Sequence, residues 1–245
     1  MILLSTLKKA LRISTQKILV EKYSTWDYQR DYFVSALKPT LAIDAGANTG
    51  QWATKFLQKF QIPVISYEPG PRCHETLFEK AQLNTLWKIR HVALGDENSL
   101  IDFHQWDIEG GSSSLKKLTS EGEKFTGWTN KMTKEVIVQS IKLDDEEAIK
   151  GASRVWLKVD VQGYETPLLK GASDTLKRAV AVEIEVPLYQ IYQGSGTFAE
   201  INELMQHHEF VLVSISTERW ANPGAADCDA LYIKRSEYER LKNLT

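Results

Sequence analysis

Residues 41–50, with the sequence LAIDAGANTG, decide how this chain folds. They begin as a short apolar run, which is typical of a buried strand, and continue through Asp44 into a turn that contains Gly46 and Gly50. A helical pattern follows at once, because apolar residues recur every three or four positions over residues 52–60. The stretch therefore predicts a strand, a tight turn and a helix, the first unit of an open α/β sheet.

The alternation of strand and helix continues along the chain. Further strands are predicted at residues 64–67, 87–94, 100–106, 134–143, 154–161, 179–186, 210–216 and 229–234. Helical patterns separate most of them, which predicts a mostly parallel sheet with helices on both faces. The last two strands have no helical pattern between them, so an antiparallel edge pair is predicted. We interpret residues 41–245 as one domain and residues 1–40 as an N-terminal helical extension.

Composition and charge are those of an ordinary globular domain, with 42% hydrophobic and 25% charged residues. The net charge of −2 gives no general attraction for nucleic acid, and no such partner is predicted. Cys73 and Cys228 lack metal-ligand spacing, so we interpret them as free thiols in the reducing cytoplasm. Residues 1–20 predict a basic amphipathic helix that either packs on the domain surface or contacts an anionic membrane peripherally.

The turn after the first strand is predicted to hold a cofactor, because such sheets bind ligands beyond the carboxyl ends of their strands. Gly46 allows close approach of the backbone, and Glu68, 22 residues later, is placed to accept hydrogen bonds from two ribose hydroxyls. The dinucleotide fingerprint requires glycine where this chain has Asn48. S-adenosylmethionine (SAM) has no pyrophosphate, and Asp44 would attract its ammonium group. The turn therefore favours SAM over a nicotinamide nucleotide.

Charged residues alternate along two later strands that should otherwise be apolar. If these strands are parallel neighbours, Lys158 lies beside Glu183 and Asp160 beside Glu185, facing the crevice. One interpretation is a buried ion pair with exposed residues at the strand ends. The other is an acidic pocket for an acceptor hydroxyl, with Asp160 as the first candidate for the catalytic base and Glu185 as the second. Two acids at one site are also compatible with a divalent cation bound through their oxygens, although no metal ligand is assigned.

An ordered set of motifs resembles the FkbM-like SAM-dependent methyltransferases. The motifs, which span residues 41 to about 233, are IDAGANTGQ (43–51), YEP (67–69), ALGD (93–96), GSSSL (111–115), LDD (143–145), LKVDVQGYE (157–165), LKGA (169–172) and VEIE (182–185). The resemblance implies a class I, Rossmann-like methyltransferase fold, with a seven-stranded, mostly parallel sheet and an antiparallel last strand. It also implies O-methylation of a hydroxyl on a sugar, a glycan or a secondary metabolite.

The resemblance also implies site residues. Those predicted to bind SAM are Asp44, Gly46, Ala47, Asn48, Gly50 and Gln51 at its tail, Glu68 at its ribose, and Leu94, Gly95 and Asp96 near its adenine. Asp160 would lie next to the methyl group. The family often has Glu where this chain has Gln162, so no role is assigned to that residue.

The segment at residues 104–133 is predicted to select the acceptor. Its aromatic and hydroxyl groups suit a sugar, and the predicted substrate-binding residues are Ser113, Ser114, Lys158 and Glu183. Its lysines would suit an anionic, lipid-linked glycan, although a solvated loop explains the same composition. Two other functions stay open: a nicotinamide-dependent oxidoreductase and a SAM-binding protein without turnover. No oligomeric state is predicted.

Overall fold

The computed structural model describes residues 25–106, 113–216, 220–221 and 224–243. The helices in these ranges are α1 (Trp26–Leu37), α2 (Gln51–Phe60), α3 (Pro71–Gln82), α4 (Ser120–Thr126), α5 (Glu165–Lys170), α6 (Ser173–Arg178), α7 (Phe198–His207) and α8 (Arg235–Lys242). The strands are β1 (Leu41–Ala45), β2 (Val64–Tyr67), β3 (Trp87–Arg90), β4 (Ala93–Leu94), β5 (Ser99–Trp106), β6 (Thr133–Ile141), β7 (Val155–Val159), β8 (Ala179–Pro187), β9 (Phe210–Ser216), β10 (Trp220–Ala221), β11 (Gly224–Ala225) and β12 (Asp227–Lys234).

The main sheet has seven strands in the order β3-β2-β1-β7-β8-β12-β9. Its centre is parallel, because β1 pairs with β2 and β7, and β7 pairs with β8. β12 runs antiparallel to both of its neighbours. These pairings confirm the α/β prediction and the antiparallel last strand. The predicted antiparallel edge pair is also confirmed, because β12 lies between β8 and β9 and pairs antiparallel with β9, the edge strand. The chain crosses from β8 through α7 to β9 and leaves one strand position open between these two strands. β12 later fills that position.

The central strands are buried on both faces, which explains their continuous apolar sequence. Every residue of β1 and β7 is buried. Ile43 and Leu157 belong to one hydrophobic cluster, whereas the preceding residues, Ala42 and Trp156, belong to another. Side chains alternate between the two faces of a strand, so these clusters are the two layers of the core. Residues of α7 complete the first layer and residues of α2 complete the second.

Helix α1 precedes the first strand and packs into the second of these layers. Its residues Val34 and Leu37 are buried in the same cluster as Trp156. The guanidinium Nε of Arg154, which directly precedes β7, donates to the carbonyl oxygen of Leu37 at 3.2 Å. The helix therefore shares its hydrophobic core with the sheet.

A smaller sheet has the strand order β4-β6-β5. β5 and β6 pair antiparallel along their lengths and match the strands predicted at residues 100–106 and 134–143. The strand predicted at residues 87–94 is divided, because β3 pairs within the main sheet and β4 pairs with β6. Helix α4 was not predicted. It is a short helix, and Thr119 caps it by accepting a hydrogen bond from the N–H of Gly122 at 2.9 Å.

The basic helix predicted at residues 1–20 lies outside the described residues. Within the described part of the chain, no helix is long and apolar enough to cross a membrane. Both cysteines are free thiols, with Cys73 partly buried and Cys228 buried. Burial raises the pKa of Cys228 to about 11, so this thiol is protonated at neutral pH.

Candidate active site

A cavity of about 490 Å³ lies beyond the carboxyl ends of β1, β2, β7 and β8. This is where open α/β sheets bind their ligands. Residues predicted to bind the cofactor and residues predicted to bind or activate the acceptor line this cavity together: Gly46, Ala47, Asn48, Gln51, Glu68, Leu94, Ser113, Lys158, Asp160, Glu183 and Glu185. Sequence reasoning missed several further lining residues, among them Trp26, Asp27 and Arg30 of α1, Trp52 and Lys55 of α2, and Gln162.

The turn after β1 requires glycine where it touches the end of β7. Gly46 has a φ of +77°, and a Cβ there would lie 1.7 Å from the carbonyl oxygen of Asp160. Asn48 is also left-handed, with a φ of 51°, a conformation that asparagine tolerates better than most residues. The N–H groups of Gly46 and Ala47 donate to the carbonyl oxygen of Tyr67 at 3.0 and 3.1 Å. The turn is thus held against both β2 and β7.

Glu68 reaches this turn from the end of β2. Its Oε2 accepts a hydrogen bond from the N–H of Asn48 at 2.8 Å, and its Oε1 accepts one from the N–H of Gly70 at 2.7 Å. The residue is only 6% exposed. Burial raises the pKa of Glu68 to about 7, although both hydrogen bonds favour the ionised form. Near neutral pH the carboxylate therefore switches between its neutral and ionised forms.

Lys158 connects the turn to the acids at the end of β7. Its Nζ lies 2.9 Å from the carbonyl oxygen of Gly46, 3.2 Å from Oδ1 of Asp44 and 3.5 Å from Oδ2 of Asp160. Burial alone would lower the pKa of Lys158, but the carboxylates of Asp160 and Asp44 outweigh it and raise the pKa. The lysine is therefore charged. The sheet register pairs Lys158 with Glu183, as predicted, and a buried ion pair with Asp44 is present as well.

The amide of Gln162 holds Asp160 and Glu185 together. Its Nε2 donates to Oδ1 of Asp160 at 2.6 Å and to Oε2 of Glu185 at 2.7 Å. Its Oε1 accepts a hydrogen bond from the hydroxyl of Tyr192 at 2.9 Å, which fixes the orientation of the amide. Two adjacent carboxylates repel each other, and the shared amide donors offset that repulsion. The sequence analysis gave Gln162 no role, because the family that the chain resembles often has Glu at this position.

Glu183 is buried beside the N-terminal helix. Its two carboxylate oxygens accept hydrogen bonds from the indole N–H groups of Trp52, at 3.3 Å, and Trp156, at 3.2 Å. The guanidinium of Arg30 lies 3.9 Å from Oε1. Burial raises the pKa of Glu183, and the charge of Arg30 opposes that rise. Helix α1 therefore contributes both a wall and a charge to the site, which no motif within residues 1–40 indicates.

Five of the predicted site residues lie off the cavity wall: Asp44, Gly50, Gly95, Asp96 and Ser114. Asp44 is fully buried and accepts a hydrogen bond from the hydroxyl of Ser66 at 3.0 Å. Gly50 packs against Trp87, since a Cβ there would approach its ring to 2.6 Å. Gly95 packs against Ser140 and Tyr164, and the hydroxyl of Ser114 donates to the carbonyl oxygen of Gln162 at 2.5 Å. Their assigned roles stay predictions.

The wall of the cavity is acidic. Among the described residues, it contains six acidic ones (Asp27, Glu68, Asp160, Glu183, Glu185 and Asp229) and three basic ones (Arg30, Lys55 and Lys158). This charge suits a cationic ligand better than a pyrophosphate. Within the described ranges, no group of three or more His, Cys, Asp or Glu side chains is arranged to hold a metal ion.

Comparison with known proteins gives consistent matches. The family model described as the methyltransferase FkbM domain matches residues 44–212. The chain is 27% identical over 228 residues to the 2-O-methyltransferase NoeI of Sinorhizobium fredii (strain NBRC 101917 / NGR234), covering 84% of this chain and 90% of that protein. It is 26% identical over 207 residues to methyltransferase sdnD of Sordaria araneosa, covering 73% and 76% of the two chains.

Among solved structures, magnesium protoporphyrin IX methyltransferase (ChlM) from Synechocystis PCC 6803 with bound SAM aligns with a TM-score of 0.49 at 12% identity. The alignment covers 92% of this chain and 82% of that chain. The residues matched by the family model include the turn after β1 and the three residues Asp160, Gln162 and Glu185.

Proposed function

We propose that this chain, which belongs to the FkbM methyltransferase family and is a SAM-dependent methyltransferase, transfers a methyl group to a hydroxyl oxygen of a sugar, a glycan or a secondary metabolite. The observation that carries the proposal is the pair of carboxylates, Asp160 and Glu185, held together on the cavity wall by Gln162. A nicotinamide-dependent oxidoreductase is disfavoured, because the acidic wall would repel a pyrophosphate.

The residues around the turn fit SAM. When bound, SAM supplies a methyl group on a cationic sulfonium that an oxygen nucleophile can attack. We assign the two ribose hydroxyls to Glu68, which is already aimed at the turn, and the adenine to the surroundings of Leu94. Asp44 does not line the cavity, so we assign it no contact with SAM. We assign it instead the role of balancing the charge of Lys158. The net negative wall favours the cation.

Asp160 is assigned as the base that receives the proton of the acceptor hydroxyl. Its side chain is 34% exposed, so an acceptor can reach it, while Lys158 and Gln162 orient its two oxygens. With SAM bound, the methyl group would leave the sulfonium as its carbon–sulfur bond breaks and the new oxygen–carbon bond forms, with S-adenosylhomocysteine as the leaving group, and the proton of the broken hydroxyl O–H bond passes to the carboxylate of Asp160. Glu185 is assigned to orient the acceptor, whose oxygen must lie about 3 Å from the methyl carbon and in line with the breaking bond.

A hydroxyl acceptor is supported by the relative NoeI, whose name describes a 2-O-methyltransferase. The predicted acceptor segment, residues 104–133, also contributes to the site, since Ser113 and Leu115 line the cavity. We place the reaction in the cytoplasm, because both cysteines are free thiols. We assign no metal to the reaction.

Replacing Asp160 with asparagine tests the proposal. We expect Asp160→Asn to bind SAM within about threefold of wild type by calorimetry and to lose at least about a hundredfold in methyl transfer. The acceptor is identified by mass spectrometry of glycans and lipids from cells with and without the active chain. It is the molecule that lacks a methyl group in the cells without the chain. Asp102→Asn, an exposed change on β5, is the matched control. Unchanged turnover in Asp160→Asn would remove this residue from the mechanism.

A further inference from the structure

A second cavity of about 180 Å³ adjoins the first. Gln162 and Glu185 line both cavities and so form their shared wall. The smaller cavity lies between the turn after β7, the end of β8 and the segment that contains α4. A molecule bound there would contact Glu185 directly, whereas Asp160 lines the first cavity only.

Glu165 lines this cavity, and one of its two carboxylate oxygens has no hydrogen-bond partner among the described residues. It is 1% exposed, and its Oε1 accepts hydrogen bonds from the N–H groups of Gly163, at 3.0 Å, and Val161, at 3.3 Å. Its other oxygen, Oε2, is buried and has no hydrogen-bond partner among the described residues. A buried carboxylate oxygen without a donor is costly, so such an atom usually indicates a ligand or a water molecule. Burial raises the pKa of Glu165 to about 7, which leaves the carboxylate largely ionised at pH 8.

The chemistry of the other lining residues indicates which type of ligand fits this cavity. Phe125 and Trp128 supply aromatic surface, and Trp128 is supported by Trp106, whose ring centroid lies 5.0 Å away. Acceptors for hydroxyl groups come from Glu165, Glu185 and Asp227. The three carboxylates among the described lining residues disfavour a phosphate or any other anion. Aromatic faces beside several hydrogen-bond acceptors suit a sugar ring.

The volume limits the size of the ligand. A water molecule takes roughly 30 Å³ in the liquid, so the cavity has the space of about six waters. That space suits one six-membered ring with its substituents better than a chain of several sugars.

We propose that this smaller cavity is the acceptor subsite and that it binds one uncharged ring with several hydroxyl groups, such as a monosaccharide unit. One hydroxyl of the ring reaches Asp160 and Glu185 across the shared wall, and a second donates to Oε2 of Glu165. The assignment rests on the proposed function, since it takes these two acids as the reacting end of the site. It replaces the charged acceptor that the lysines of the segment suggested with a neutral one at this position.

Saturation-transfer NMR at pH 8, with S-adenosylhomocysteine present, tests the subsite. The probes are methyl β-D-glucopyranoside, methyl α-L-fucopyranoside and methyl α-L-rhamnopyranoside. We expect at least one of them to bind, and we expect no binding of cyclohexanol or glucose 6-phosphate. Binding of no glycoside, or equal binding of the phosphate, would overturn the subsite.

Two variants locate the binding. Glu165→Gln replaces the unpartnered oxygen with an amide and should weaken glycoside binding at least fivefold, while SAM binding stays within about twofold. Trp128→Leu should weaken glycoside binding similarly, and its SAM affinity reports whether it folds. Glu121→Gln, an exposed change on α4, is the matched control.

The two proposals fail separately. Wild-type glycoside affinity in both Glu165→Gln and Trp128→Leu overturns the subsite, even if Asp160→Asn abolishes methyl transfer. Conversely, glycoside binding that depends on Glu165, in a chain that methylates no hydroxyl, overturns the proposed function and leaves the subsite standing.

Discussion

Replacing Glu68 with glutamine should separate cofactor binding from folding. Two backbone N–H groups already donate to this carboxylate, at 2.8 and 2.7 Å, and the proposal adds two ribose hydroxyls. A glutamine offers one acceptor oxygen and no charge, so at least one of these donors loses its partner. A hydrogen bond to a charged group contributes about 1.5–3 kcal/mol. We therefore expect Glu68→Gln to bind SAM about 10- to 150-fold more weakly by calorimetry.

The pKa of Glu68, about 7, allows a second test of this prediction, through the pH dependence of SAM binding. Only the ionised form accepts both hydroxyls, so wild-type affinity should fall about tenfold from pH 8 to pH 6, in proportion to the ionised fraction. Glu68→Gln has no such group, and the ratio of wild-type to variant affinity should shrink accordingly. Identical pH profiles would refute the ribose role, as would an unchanged affinity at pH 8.

Folding stability should respond in the opposite sense. A carboxyl group whose pKa is raised in the folded state holds its proton more tightly there than in the unfolded chain. Its stability contribution is therefore present below the unfolded pKa and is lost as pH rises toward 7, by roughly 3 kcal/mol at most. Urea unfolding of the free protein at pH 5 and pH 8 should show a smaller loss for Glu68→Gln. Part of the slope remains, because Glu165 shifts in the same direction. Glu79→Gln, exposed on α3, is the control.

Two more substitutions test the centre of the site. Gln162→Glu should lower kcat about tenfold or more at pH 7. The reason is that a third carboxylate within 2.7 Å of Asp160 and Glu185 forces one of the three acids to keep a proton. A pH–rate profile identical to that of the wild type would contradict this prediction. Lys158→Met should destabilise the fold by about 3–5 kcal/mol in urea unfolding, because it leaves Asp44 buried without its cation. Lys88→Met, exposed on β3, should stay near wild type, and equal losses in the two variants would refute the ion-pair argument.

The sequence predicts much of the fold because the information is local. The central strands are apolar along their whole length, and the helix after β1 carries a regular apolar face, so periodicity identifies both. The position of β12 is different, because it depends on which strand position the α7 crossover leaves open. Helix α4 escaped prediction because it spans only seven residues and is marked mainly by its cap, Thr119.

For the site, topology made the strand-end acids predictable. Glu68 and Asp160 follow strands whose carboxyl ends meet at one edge of the sheet, so their proximity follows from the strand order. Gln162 and Glu165 were not predictable in this way. The role of Gln162 depends on a left-handed turn, with a φ of 52°, that aims its amide at the two acids. The missing partner of Glu165 becomes visible only once the surrounding chain is in place.

In the proposed mechanism, the turn after β1 does more than bind the cofactor, because it also positions Asp160, the proposed base. Gly46 lies so close to the carbonyl oxygen of Asp160 that no side chain fits between them, and the N–H of Asp160 donates to the carbonyl oxygen of Ala45 at 3.1 Å. The ammonium of Lys158 bonds to the carbonyl oxygen of Gly46 and faces the carboxylate of Asp160. A displacement of the turn must therefore move the backbone that carries the base. Since a misplacement of about 1 Å can cost about a hundredfold in rate, this contact makes the geometry of cofactor binding part of the geometry of methyl transfer.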